Sequence, residues 1–362
     1  MGFILYGLGY SVPLMKRDLG ISRATASLHQ TAFALMLIIS SLFLNRFISR
    51  FSATVAMRTG WLIVVLGIGL YTWGRSIWIT VPSYGLAAFG ATLFNNTNAA
   101  SLGQVPGNSL KLMFRTTGIS TGLGAFAPMV IAILVAKGIS WRLVLFLIAL
   151  IVGLLSYYCV PEVSNRSPAP RATGRISKDF VLMIFFGFAA NFLEVAVGAW
   201  ALDLLIQRNY AKSVALVLAT FFSFGISFSR LGFSFRVRYG QMRIWIFSSA
   251  LTLTGLLFII FSTSGLLTFI GLTIASLGIG PVSAIALAYA SDSPDGAYRG
   301  VAANASGAAV ALGVGPGIIG YVSDRFSFSY AYAISAIMLV FATAIFLVVR
   351  KERAKHDLDS MG

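Results

Sequence analysis

The chain has 362 residues, of which 57% are hydrophobic and only 10% charged. Soluble domains carry roughly a quarter charged residues, so this composition excludes an ordinary soluble enzyme or binding module and makes lipid the solvent. A formal charge of +16 would suit a nucleic-acid binder. The basic residues, however, fall in short gaps between apolar runs, where they set membrane topology, and no nucleic-acid partner is expected.

Apolar runs near the ~20 residues that span a bilayer recur along the whole sequence. In chain order they predict helices over Gly2–Leu14, Ala24–Leu44, Thr59–Trp73, Ile77–Leu102, Thr116–Ala136 and Leu143–Val160. A second set covers Phe180–Leu205, Ser213–Phe228, Ile244–Phe261, Leu266–Tyr289, Val301–Val322 and Tyr330–Val349. The fold class is therefore an all-α polytopic membrane protein with twelve transmembrane helices. The alternating strands of a membrane barrel are missing from the sequence. Gly2–Leu14 is too short for ~30 Å of hydrocarbon at 1.5 Å per residue, so the first helix is read as truncated. It lacks the basic start of a signal peptide.

The longest polar gap, PEVSNRSPAPRATGRISKD at residues 161–179, reads as a cytoplasmic linker. It separates a six-helix half at 1–160 from a second at 180–349, followed by a cytoplasmic tail at 350–362. With the N-terminus inside, 18 of the 27 Lys and Arg residues fall on the inner side, so both termini are expected in the cytoplasm and the chain in the cell (inner) membrane. The halves also match at one offset. Adding 188 takes Arg50 to Arg238, Gly90 to Gly278, Pro128 to Pro316 and Lys137 to Arg325. Such duplication of six helices is a transporter architecture.

The stretch NFLEVAVGAW, residues 191–200, holds the strongest site signal. Of the eleven acids, Glu194 alone lies well inside a predicted helix. An ionisable residue at mid-membrane costs ~2.5–3.5 kcal/mol and usually faces a cavity. Gly187, Asn191, Glu194 and Gly198 share its stripe at 4-3-4 spacing. Glu194 is either a structural hydrogen-bond partner or a proton carrier whose burial tunes it.

Asn95 and Asn98 form a second polar face within LFNNTNAAS, while Asn96 points elsewhere. Their amides suit polyols, or equally hydrogen bonds between helices. Thr121 and Gly124 lie on one stripe with Pro128, which is expected to kink its helix. Pro128, Pro316, Gly124 and Pro281 are the candidate hinges. His29 and Gln30 sit near the outer end of the second helix, where solvation is the simplest reading, and Tyr6 and Tyr10 are candidates to face the cavity. Trp200 reads as an aromatic anchor at the outer boundary. No Lys or Arg is predicted deep in a helix, which favours a neutral or cationic solute.

Single Cys159 and the distant His29 and His356 encode no disulfide or zinc motif. GPGIIG at 315–320 fits a dinucleotide fingerprint formally, but lies in a membrane helix and contains Pro316. No enzyme activity, metal or cofactor is expected.

The chain resembles the major facilitator superfamily over essentially its whole length. NRFISRFSATVAMR stands where that family has a basic G-x-x-x-D-R-x-G loop, with Arg50 retained but Ser49 and Ser52 replacing Asp and Gly. FRVRYGQMR is the repeat copy, with Arg238, and GYVSDRF supplies Asp324 and Arg325. FLEVAVGAWALDLL, GIGPVSAIALA and SFSRLGF resemble segments of fucose-permease-like and related bacterial members, the last placing Arg230 at a helix end. The resemblance implies a conformational role for Arg50, Arg238, Arg230, Asp324 and Arg325. It also implies a monomeric secondary transporter moving a small solute by alternating access, with a proton as the possible coupling ion. Sugar–proton members use acids on helices one and four, whereas the fourth helix here offers Asn95, Asn96 and Asn98. A multidrug or metabolite efflux carrier and a transporter-like sensor or scaffold are the alternatives.

Overall fold

The computed structural model describes residues 1–160, 162, 176–237 and 240–359. Among them are thirteen α-helices. The first six are α1 (Gly2–Leu19), α2 (Arg23–Arg50), α3 (Ala53–Trp73), α4 (Ile77–Gly103), α5 (Ser109–Ala136) and α6 (Trp141–Cys159). The rest are α7 (Lys178–Ala199), α8 (Ala201–Gln207), α9 (Lys212–Ser234), α10 (Gln241–Phe261), α11 (Gly265–Ser291), α12 (Ala297–Arg325) and α13 (Phe328–Asp359). Eleven are long and apolar enough to cross a membrane. Helices are the natural solution there, because each satisfies its own backbone hydrogen bonds without water. Serine hydroxyls cap several of them. Ser22, Ser52, Ser76 and Ser177 accept backbone N–H groups at the starts of α2, α3, α4 and α7.

Several boundaries depart from the sequence reading. α1 continues past Leu14 to Leu19, where Gly20 closes it in the left-handed region at φ 63°. Its 18 residues reach about 27 Å, close to a full span. The seventh predicted helix breaks at Trp200 into α7 and the short α8. Trp200 turns inward rather than anchoring an interface. Its indole Nε1 donates to the Pro316 carbonyl at 2.7 Å, and its ring covers Gly320. α9 runs six residues beyond Phe228, to Ser234, and carries Arg230 with it.

The duplication seen in the sequence is repeated in the packing. Gly67 of α3 lies against Ser83 and Ala87 of α4, and Gly255 of α10 lies against Gly271 and Ala275 of α11, each residue offset by 188. Gly90 against Gly60 and Val64 has the same counterpart in Gly278 against Ser248 and Thr252. The two six-helix halves are thus pseudo-symmetric down to individual contacts. Between halves, Ser227 of α9 donates to the Gly118 carbonyl of α5 at 2.7 Å, and Gly103 of α4 meets Ser291 of α11.

Small residues allow these crossings, since close backbone approach drives helix association in lipid. One close crossing is α7 on α12, where a Cβ on Gly187 would overlap the Asn304 carbonyl and one on Gly307 would overlap that of Ile184. Gly317, also on α12, faces open space. Gly307→Ala should therefore lower the thermal midpoint in detergent sharply, whereas Gly317→Ala should leave it unchanged or raise it by removing a helical glycine. Equal effects of the two changes would show that the α7–α12 contact is not close.

Candidate functional site: a compensated ion pair in the central cavity

Arg230 is 5% exposed, although it lies within one helical turn of the end of α9. A guanidinium cannot shed its charge, so every donor it buries needs an acceptor. Four contacts meet that need. Nε donates to the Gly280 carbonyl of α11 at 2.8 Å, and Nη1 to Thr121 Oγ1 of α5 at 2.7 Å. Nη2 donates to Glu194 Oε2 of α7 at 2.5 Å and to Ser283 Oγ of α11 at 2.6 Å. Ser283 Oγ in turn donates to the same carboxylate oxygen at 3.0 Å.

This placement corrects the sequence reading in two respects. Arg230 is a site residue rather than part of an inner loop, and a cation is buried among the helices, close to the end of its own. Pairing also explains how Glu194 is tolerated. Its lone charge is neutralised by Arg230, and it retains 20% side-chain exposure.

Two lobes of about 260 Å³ each border Arg230, and Glu194 lines the first. The first is lined by Thr92, Asn95, Asn96, Asn191, Asn304 and Glu194, among others. Asn95, Asn98, Thr117 and Thr121 line the second, and Arg230 borders both. The structure thus gathers Glu194, Asn191, Asn95, Asn98 and Thr121 from the predicted candidates. Asn191 Nδ2 is committed to the Gly187 carbonyl at 2.8 Å, leaving its Oδ1 for other partners. Asn96 Nδ2 donates to Ser41 of α2 at 3.0 Å and ties α4 to that helix.

Tyr6 lies beside the site, its ring against Gly124 of α5. The 188-residue offset takes Tyr6 to Glu194 and Asn95 to Ser283, so equivalent positions of both halves converge here.

Other candidates lie elsewhere. Tyr10 packs against the core of the first half. His29 is fully buried, not solvated. Its ring nitrogens meet the Ala26 carbonyl and Thr80 Oγ1 at 3.0 Å each, and its ring is edged by Tyr71 and Tyr84. Gln30 donates to the Tyr84 hydroxyl at 3.4 Å. Pro128, Pro281 and Pro316 are enclosed within continuous helices. Arg50 is exposed at the end of α2, and Asp324 and Arg325 are exposed in the last turn of α12 rather than in a loop. Arg238 falls outside the described residues.

The family model of the Major Facilitator Superfamily matches residues 1–313. The chain belongs to this superfamily. Its fold is shared with the E. coli fucose:proton symporter FucP at TM-score 0.75 and 13% identity, covering 96% of each chain. The proton:xylose symporter XylE superposes with TM-score 0.76 at 12% identity over 96% of this chain and 93% of that one. The human organic anion transporter MFSD10 gives 0.71 at 13%, over 95% and 89%. No curated protein matches the sequence. This superfamily member is a multi-pass membrane transporter, not an enzyme.

Removing one partner of a buried pair is costlier than removing both. Glu194→Gln and Arg230→Gln should each lower the thermal midpoint, and the double variant should recover much of the loss. Strictly additive losses would show that the two side chains do not interact.

Proposed function

We propose that this protein carries a small, neutral, polyhydroxylated solute by alternating access, coupled to a proton that binds at Glu194. The observation that carries this reading is the charge-compensated Arg230–Glu194 pair at the wall of a carboxamide-lined cavity. Arg230 and Glu194 are the charged side chains lining either lobe among the described residues, and they neutralise each other. A charged solute would meet no free counter-charge. A polyol would meet amides and hydroxyls, each able to give and take hydrogen bonds. Lobes of this size suit a solute smaller than the drug-like ligands of ordinary pockets, which occupy roughly 300–1,000 Å³. The fucose and xylose symporters that share the fold are named for solutes of this kind.

Coupling follows from the hydrogen bonds. Proton uptake by Glu194 removes the charge that balances Arg230, while Thr121 still holds the guanidinium from the other half. A solute oxygen entering the cavity can supply an acceptor at that moment, so proton and solute favour each other's binding. Release of the proton restores the ion pair, and once both have left the halves are free to rock about the α5–α9 contact. Pro128, Pro281 and Pro316 serve as bending points in this scheme, and residues 161–179 connect the moving halves 1–160 and 180–349. The basic bias of the inner loops supports cytoplasmic termini and a place in the inner membrane. Moving Arg230 into the site takes one charge from the 18 counted inside and leaves that bias intact. The exposed Arg50 belongs to the inner face, and one chain holds the complete site.

In proteoliposomes with an inwardly directed proton gradient, labelled fucose or xylose should accumulate above its equilibrium level. Glu194→Gln should abolish accumulation and its pH dependence while leaving solute exchange between the two sides. Gradient-driven accumulation by Glu194→Gln would remove Glu194 from the coupling step.

A further inference from the structure

Asn304 is 3% exposed on α12 and lines the first lobe beside Asn191 and Glu194. Its amide nitrogen has no hydrogen-bond partner among the described residues. Of the buried side-chain atoms left in that condition, it is the one that belongs to a residue lining either lobe. Buried polar side chains are nearly always bonded, and an orphaned donor costs stability. The backbone beneath it is fixed, because the Asn304 carbonyl sits against Gly187 at the tight α7–α12 crossing. A helix shift cannot bring the amide a partner without opening that contact.

The same crossing holds a complementary group. Asn191 spends its Nδ2 on the Gly187 carbonyl, so its Oδ1 remains as an acceptor. One donor on α12 and one acceptor on α7 therefore border the same lobe. A carboxylate would satisfy the donor but not the acceptor, and an ammonium group the reverse. A hydroxyl group satisfies both, since its oxygen accepts and its proton donates.

The geometry points to Asn304 as the solute-recognition residue of the first lobe, its Nδ2 donating to a hydroxyl oxygen of the solute while Asn191 Oδ1 accepts from that hydroxyl. This inference rests on the reading of the cavity as a site for a neutral polyhydroxylated solute. It assigns Asn304 a role in affinity, and none in proton coupling.

The test uses the full chain in proteoliposomes, with fucose and xylose as probes. Asn304→Ala should raise the half-saturating concentration roughly three- to tenfold, as loss of one neutral hydrogen bond does, with the maximal rate nearly unchanged. Without solute, the same variant should be at least as heat-stable as the parent protein, because it deletes an unsatisfied donor. A purely structural asparagine would behave oppositely, losing heat stability and keeping its affinity. Asn304→Ser keeps a short donor and should fall between the two; it also serves if the alanine variant does not fold. Asn304→Asp replaces the donor by an acceptor and should weaken binding more than alanine does. If the parent protein accumulates a probe and both Asn304→Ala and Asn304→Ser leave its half-saturation unchanged, the role of Asn304 is overturned while the polyol reading stands. If the parent protein neither accumulates nor exchanges either probe, the polyol reading fails and this inference falls with it.

Discussion

The structure depends on making a guanidinium acceptable inside a membrane protein. Arg230 is always charged and is shielded from water, so its donors have to be met by protein. They are met from three other helices: Thr121 on α5, Glu194 on α7, and Ser283 with the Gly280 carbonyl on α11. One side chain on α9 thus fixes the relative positions of four helices drawn from both halves. The glycines at the crossings make this possible, because bulkier residues would hold the backbones too far apart. Gly280, against which Ser229 and Ile226 pack, is one of them.

That constraint gives the cavity its chemistry. Compensation of Arg230 by Glu194 leaves a wall with no net charge, and the remaining lining is carboxamide, hydroxyl and alkyl. In the proposed cycle it also links protonation to mechanics. Glu194 keeps 20% of its side chain exposed, whereas Thr121 holds the same guanidinium from the opposite half. A proton loaded on Glu194 in that cycle changes the balance on Arg230 without breaking its hold on α5. A neutral solute can then complete the coordination. The bulk of the bundle needs no chemistry of its own; its task is to present the two halves at close range.

Much of this was legible in the sequence, for identifiable reasons. The helical class followed from apolar run length, and the duplication from a single offset that reappears in the glycine contacts of α3–α4 and α10–α11. Glu194 stood out because an acid inside an apolar run has few explanations. Arg230 did not, because a basic residue just past the end of a hydropathy segment looks like an inner-loop charge. Its burial is set by a partner 36 positions earlier in the chain. The signal that could have found it was the apolar continuation Leu231, Gly232 and Phe233, which keeps Arg230 inside the helix. His29 was misplaced for a related reason: Thr80 and the Tyr71 and Tyr84 rings that enclose it lie on α3 and α4. Asn304 gave no signal at all. In a helix rich in alanine and glycine, an asparagine reads as ordinary interhelical glue until its lack of a partner is visible.

The ionic state of Glu194 within the pair is the point on which the rest turns, and infrared difference spectroscopy reads it directly. With the protein reconstituted in lipid, stepping from alkaline to acid buffer in the presence of solute should produce the carbonyl stretch of a protonated carboxylic acid. That band should vanish in Glu194→Gln and persist in Arg230→Gln, which keeps the acid. An unaltered band in Glu194→Gln, together with intact proton-driven transport, would contradict the account.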